Sequence, residues 1–178
     1  MILILSFVTL GLVLLSIQTT IFSLFPDWLG KPDLIFILLV FVAYRFNWLA
    51  GLFLAFCLGW MMDVVSGMFL GTYLCMALLV FCLVKFFTQN SPVKETAYQV
   101  PLVGLSYFVL QCLFYVFFLF TQPGVLPPRV WGRVVQETFI LLVAAIPCFV
   151  LFNWMYEKIS SHRLASKVKK RIPSNRFR

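Results

Sequence analysis

Charge is what this sequence has least of. Of its 178 residues 11% are charged and 62% hydrophobic, against roughly 25% charged and 45–50% apolar in soluble globular domains. That shortage excludes an ordinary water-soluble fold, because there is too little polar surface to cover one. Histidine is down to one residue, His162, in a basic stretch near the C-terminus. A single histidine there leaves no Ser-His pair, no histidine haem ligand and no histidine metal site in the apolar part of the chain. There is no G-x-x-x-x-G-K-[ST] phosphate loop and no H-E-x-x-H. The five cysteines (Cys57, Cys75, Cys82, Cys112, Cys148) lie inside apolar runs and show neither C-x-x-C nor Cys/His spacing, so they read as small packing residues. Among the carboxylates, Asp33, Asp63 and Glu137 stand far apart, which is not the cluster that acid–base chemistry needs. The expectation is a non-enzymatic protein with no cofactor, no metal and no nucleic-acid partner. No internal repeat or low-complexity tract is visible either.

What the chain does have is long apolar runs. The charge-free stretches cover residues 1–26, 34–44, 46–62, 64–84, 96–128 and 138–156. They are continuously apolar and do not alternate, so they suit helices, the open way to satisfy the backbone in hydrocarbon, and not barrel strands. The first run has no basic n-region and no small-x-small cleavage site, so it reads as a retained spanning helix and not as a signal peptide. An all-α integral membrane bundle follows. Four of the runs are long enough to cross by themselves. The second and third, at about 14 and 17 residues, rise only about 21 and 25 Å against a core of roughly 30 Å. Joined, they would make a helix of about 43 Å and bury Arg45 at a cost of about 2.5 kcal/mol or more. Split at Arg45-Phe46-Asn47, the arginine sits in a turn and can reach the interface. The split makes six helices, with spans near 2–24, 32–45, 47–63, 69–87, 98–121 and 134–156 in one membrane domain, 1–157.

The tail, 158–178, holds eight of the fourteen Lys and Arg residues, among them Arg163, Lys167, Lys169, Lys170 and Arg171. By the positive-inside rule it is cytoplasmic. With six helices the N-terminus is cytoplasmic too, which puts Arg45, Lys85 and Lys94 inside and Lys31, Arg129 and Arg133 outside. Five helices would trade Arg45 for Lys31 and score equally, so the cost of burying Arg45 decides the number. The tail can draw on anionic lipid at about 1 kcal/mol per cation near the surface. Docking to an acidic cytoplasmic partner is its other use. The loop around Gln122-Pro123-Gly124 and Pro127-Pro128 is a breaker cluster followed by Trp131 at an interface.

Gly51, Ala55 and Gly59 recur every four residues and form a narrow groove on the third helix, suited to packing inside the bundle or to a partner helix. Asp63 continues that spacing at the helix C-terminus, where the macrodipole disfavours a carboxylate. Its expected role is to accept backbone or Ser66 hydrogen bonds that pin the following turn; a proton or ligand site is the other reading. Pro32 suits a first helical position, and Asp33 beside it faces the positive end of the second helix. Arg133 and Glu137 stand one turn apart and can pair, while Gln111 can bridge helices.

The run from Lys31 to Gly71 resembles the central signature of the bacterial rod shape-determining MreD family. In that family Pro-Asn or Pro-Asp opens the second helix, and a G-x-x-x-D-x-x-S-G-x-x-x-G run closes the third and begins the fourth. The matching positions are Pro32 and Asp33, then Gly59, Asp63, Ser66, Gly67 and Gly71. The motif covers about a quarter of the chain. The resemblance implies a multi-pass scaffold of the bacterial inner membrane that regulates cell elongation and side-wall peptidoglycan synthesis. It implies MreC as direct partner, with MreB, RodA and a transpeptidase in the wider complex, and a fold similar to the six-helix substrate-binding subunits of energy-coupling-factor transporters. The long basic tail departs from many relatives. A vitamin-binding subunit of such a transporter is the alternative, for which the polar complement of Asp63, Ser66, Gln111 and Glu137 is thin.

Overall fold

The computed structural model describes residues 2–21, 33–67, 71–90, 99–121 and 130–171. Pro32 lies outside them. The described residues form six helices: α1 (Ile2–Ile21), α2 (Leu34–Arg45), α3 (Trp48–Ser66), α4 (Thr72–Asn90), α5 (Gln99–Thr121) and α6 (Val130–Arg171). No strand occurs among the described residues.

Local chemistry sets several of these boundaries. Asp33 is the N-cap of α2, and its Oδ1 accepts the Phe36 N–H at 3.1 Å. Arg45 closes the same helix, where the dipole favours a cation. The chain then runs extended through Phe46 and Asn47 before α3 starts. The break at Arg45-Phe46-Asn47 is therefore real, and Arg45 is exposed with its guanidinium 4.9 Å from the centre of the Tyr156 ring. Gly67 ends α3 in the left-handed region at φ 61°, a conformation that a Cβ would penalise.

Among the described residues, four helices are long and apolar enough to cross a membrane: the stretches Leu3–Thr20, Trp48–Ser66, Thr72–Gln89 and Trp131–Ser161. α2 is different. Its 12 residues span about 18 Å, and nine of them, Ile35 to Ala43, are buried. It touches each of the other five helices. An all-round apolar sequence is what a helix enclosed by other helices requires. The core runs along it: Phe41 has Phe7, Phe149 and Phe152 at ring distances of 5.9, 5.7 and 5.6 Å.

The largest helix pair is α3 against α4. A Cβ on Gly51 would lie 2.6 Å from the Phe81 ring, and one on Gly59 would lie 2.9 Å from both Leu74 Cα and Ala77 Cβ. Ala55, between them, is fully buried. Of the two uses expected for the Gly51, Ala55 and Gly59 face, α4 takes it within the chain.

Several boundaries differ from expectation: α4 covers Thr72–Asn90 against an expected 69–87, and α6 is already helical at Val130 against an expected start at 134. α3 runs three residues past Asp63 to Ser66, because the turn begins only at Gly67. α6 does not stop near residue 156: it continues through Arg163, Lys167, Lys169 and Lys170 to Arg171, 42 residues in all, with Pro147 inside it. Residues 158–171 contain no glycine or proline to break a helix, and Pro173 follows. The first part of the basic tail is thus a helical extension.

Candidate functional site

Two buried ionisable side chains of the described residues, Asp63 and Lys85, lie at opposite ends of the bundle. At one end, where α3 turns into α4, the Asp63 carboxylate is only 6% exposed. Its Oδ2 accepts the Gly71 N–H at 2.8 Å and the Leu74 N–H at 3.4 Å, and its Oδ1 accepts the Tyr73 N–H at 2.9 Å. These are first-turn donors of α4, which no helical carbonyl can satisfy. Although Asp63 belongs to the C-terminus of α3, its charge faces the positive end of α4, so the dipole favours it.

The rest of the motif serves the same clasp. The Ser66 hydroxyl donates to the Asp63 carbonyl at 3.2 Å, and the Gly67 N–H donates to that carbonyl at 3.4 Å. Gly71 has φ 95°, which again calls for glycine. Gly59, one turn before Asp63, lets the α4 backbone at Leu74 come within reach. Five residues spread over 13 positions thereby hold one helical hairpin.

Beside the clasp lies Asp33. Besides the Phe36 N–H, its Oδ1 accepts the Gln18 side-chain amide at 3.4 Å. Gln18 Oε1 is buried and has no hydrogen-bond partner. Next to it, Tyr107 packs edge-on to Phe36 at 5.2 Å. The Gln111 amide donates to the Tyr107 oxygen at 2.7 Å and to Glu137 Oε2 at 3.3 Å, and the Tyr107 hydroxyl donates to the same Oε2 at 3.4 Å. Gln111 does bridge α5 to α6. Glu137 takes its hydrogen bonds from α5, and Arg133, one turn away, is exposed.

A cavity of about 50 Å³ opens between α2, α3, α4 and α5 at this end. Asp33 and Tyr73 are the polar groups on its wall; the rest is apolar, including Phe36, Met62, Met76 and Phe114. No group of three or more His, Cys, Asp or Glu side chains placed to hold a metal occurs among the described residues.

At the other end a cation is buried. Lys85 of α4, 8% exposed, donates from Nζ to the Ala43 carbonyl at 3.1 Å and to the Phe46 carbonyl. It caps the C-terminus of α2, where carbonyls lack helical partners and the dipole is negative. Sequence reasoning counted Lys85 only as an orienting charge. Its partners lie 42 and 39 residues away, so no local pattern could reveal them. Gln18, Tyr73 and Tyr107 were also missed; Gln18 alone carried a signal, as a polar residue in a charge-free run. The side chains of Arg163, Lys167, Lys169, Lys170 and Arg171 lie outside the described set.

No family model, curated protein or solved structure matches the chain.

Proposed function

We propose that this chain is an integral protein of the bacterial inner membrane and a non-enzymatic scaffold of the MreD type, regulating rod-shaped growth and side-wall peptidoglycan synthesis. Its partners in this reading are MreC directly, and MreB, RodA and a transpeptidase in the wider complex. Both termini are cytoplasmic, and the basic extension of α6 meets anionic lipid.

The observation that carries the reading is the α3–α4 clasp. Gly59, Asp63, Ser66, Gly67 and Gly71, the residues that bear the resemblance, all act on one helical hairpin. Both oxygens of the Asp63 carboxylate are engaged by backbone N–H groups, so the residue shapes the bundle and has little capacity left for a substrate. A motif that builds architecture suits a protein that works by presenting surfaces. The membrane part is supported by the outward side chains: Leu5, Leu49, Phe53, Trp60, Phe139 and Val150 are each more than half exposed. Apolar surface of that extent is untenable in water and ordinary in lipid.

Affinity purification of the tagged protein from solubilised native membranes, with mass spectrometry of the co-purifying proteins, tests this. Recovery of MreC or other wall-elongation proteins is expected. Recovery of a transporter ATPase pair would replace the scaffold with the substrate-binding subunit of an energy-coupling-factor transporter.

A further inference from the structure

We propose that the cavity between α2, α3, α4 and α5 is a binding site for a small organic monocation, an alkylammonium group. Two features of its wall and one beside it converge on that chemistry. The first is charge: Asp33 lines the cavity, and among the described residues its hydrogen-bond partners are the Phe36 N–H and the Gln18 side-chain amide, with no cationic side chain. An ionised carboxylate has about four lone-pair sites, so it retains capacity to accept. The Asp63 carboxylate nearby is already held by three backbone donors.

The second feature is aromatic. Phe36, Tyr73 and Phe114 line the same cavity, with Tyr73 and Phe114 rings 5.9 Å apart and inclined at 57°. Ring faces attract an ammonium group through their quadrupoles, best when water is excluded. The third lies behind the wall: Gln18, whose amide holds Asp33, has a buried Oε1 that no donor among the described residues meets. Acceptors beside a carboxyl group that no described cation pairs suit a ligand that brings positive charge and N–H donors.

Other ligand classes fit less well. A divalent cation needs six or more oxygen ligands, whereas this wall supplies one carboxylate among rings and thioethers. An anion is repelled by an ionised Asp33, and an uncharged apolar molecule makes no use of its acceptor oxygens. The volume, about 50 Å³, exceeds the roughly 10–15 Å³ that one water needs, so a group of a few heavy atoms can enter. This proposal does not rest on the scaffold reading.

The test uses the full-length chain in lipid nanodiscs, labelled with 13C in its methionine methyls, titrated with methylammonium chloride. Met62 and Met76 line the cavity and Met155 does not. Saturable shifts of the Met62 and Met76 methyls are expected, with Met155 unmoved. Sodium chloride and the neutral analogue methanol are expected to leave all three in place. Asp33→Asn keeps a good N-cap for α2 and removes the charge; it should weaken methylammonium binding about tenfold or more. The proposal is overturned by the absence of saturable shifts up to about 50 mM, a concentration well above millimolar affinity. It is equally overturned if methanol reproduces the shifts, or if Asp33→Asn, with an unaltered resting spectrum, binds as well as the parent. Should Asp33→Asn alter the resting spectrum, Phe114→Leu takes its place, since it removes a ring and no charge. Weaker binding there sustains the site, and unchanged binding overturns it. Co-purification of wall-elongation proteins is decided separately, so failure here leaves the scaffold reading standing.

Discussion

Asp63 and Lys85 are ionisable side chains hidden in an apolar bundle, and each is held by helix-end backbone groups. Removing the carboxylate with Asp63→Ala leaves the Gly71, Tyr73 and Leu74 N–H groups without their acceptor. The loss should be about 2–4 kcal/mol, since an unsatisfied buried donor costs about 1–3 kcal/mol and the three share one site. Asp63→Asn retains one acceptor oxygen and should lose less. Thermal unfolding midpoints in a fixed detergent check the order parent, Asn, Ala; equal midpoints for all three would remove the clasp from the account. Lys85→Met keeps the aliphatic stem and deletes the donors to Ala43 and Phe46. Relief of the lysine's own desolvation offsets part of that loss, so a smaller drop of about 1 kcal/mol is expected in the same assay.

At the scale of elements, the α3–α4 pair discriminates between two glycines that look alike in sequence. A Cβ on Gly59 meets backbone, Leu74 Cα at 2.9 Å, whereas one on Gly51 meets the edge of the Phe81 ring. The backbone cannot yield without moving α4, while a ring can turn. Gly59→Ala should therefore destabilise by about 1–3 kcal/mol. Gly51→Ala should come out closer to neutral, because alanine recovers up to about 1 kcal/mol of helix propensity. Unfolding midpoints of the two variants side by side check the difference. α6 adds a second point at this scale. Its helix carries the basic stretch to Arg171, so circular dichroism of the chain cut after Glu157 should show a loss of helical signal.

Across the whole molecule, the proposed membrane reading, combined with the eight cations of residues 158–178, predicts one orientation. A fluorescent-protein fusion at the C-terminus should glow, and an alkaline phosphatase fusion there should be inactive, since the first reports the cytoplasm and the second the far side. The reverse pattern would invert the topology that the positive charges imply. α2 fits this picture as an enclosed helix, its 12 residues too short to cross the hydrocarbon unaided. The helices around it supply the surface that lipid would meet.

Sequence alone determined the helical class, the six helices seen among the described residues and the break at Arg45-Phe46-Asn47, because hydrophobic run length and the cost of burying one arginine are local quantities. It also marked Asp63 and its glycines, since four-residue spacing and a lone acid in an apolar run are visible along the chain. Only the tertiary structure decided which donors the acid serves. It also decided that α4 fills the Gly51, Ala55 and Gly59 face, that Lys85 caps α2 from about 40 residues away, and that Asp33 shares a cavity with Tyr73 and Phe114. Those outcomes depend on which helix lies beside which, and residues far apart in sequence carry no periodic signal of their pairing.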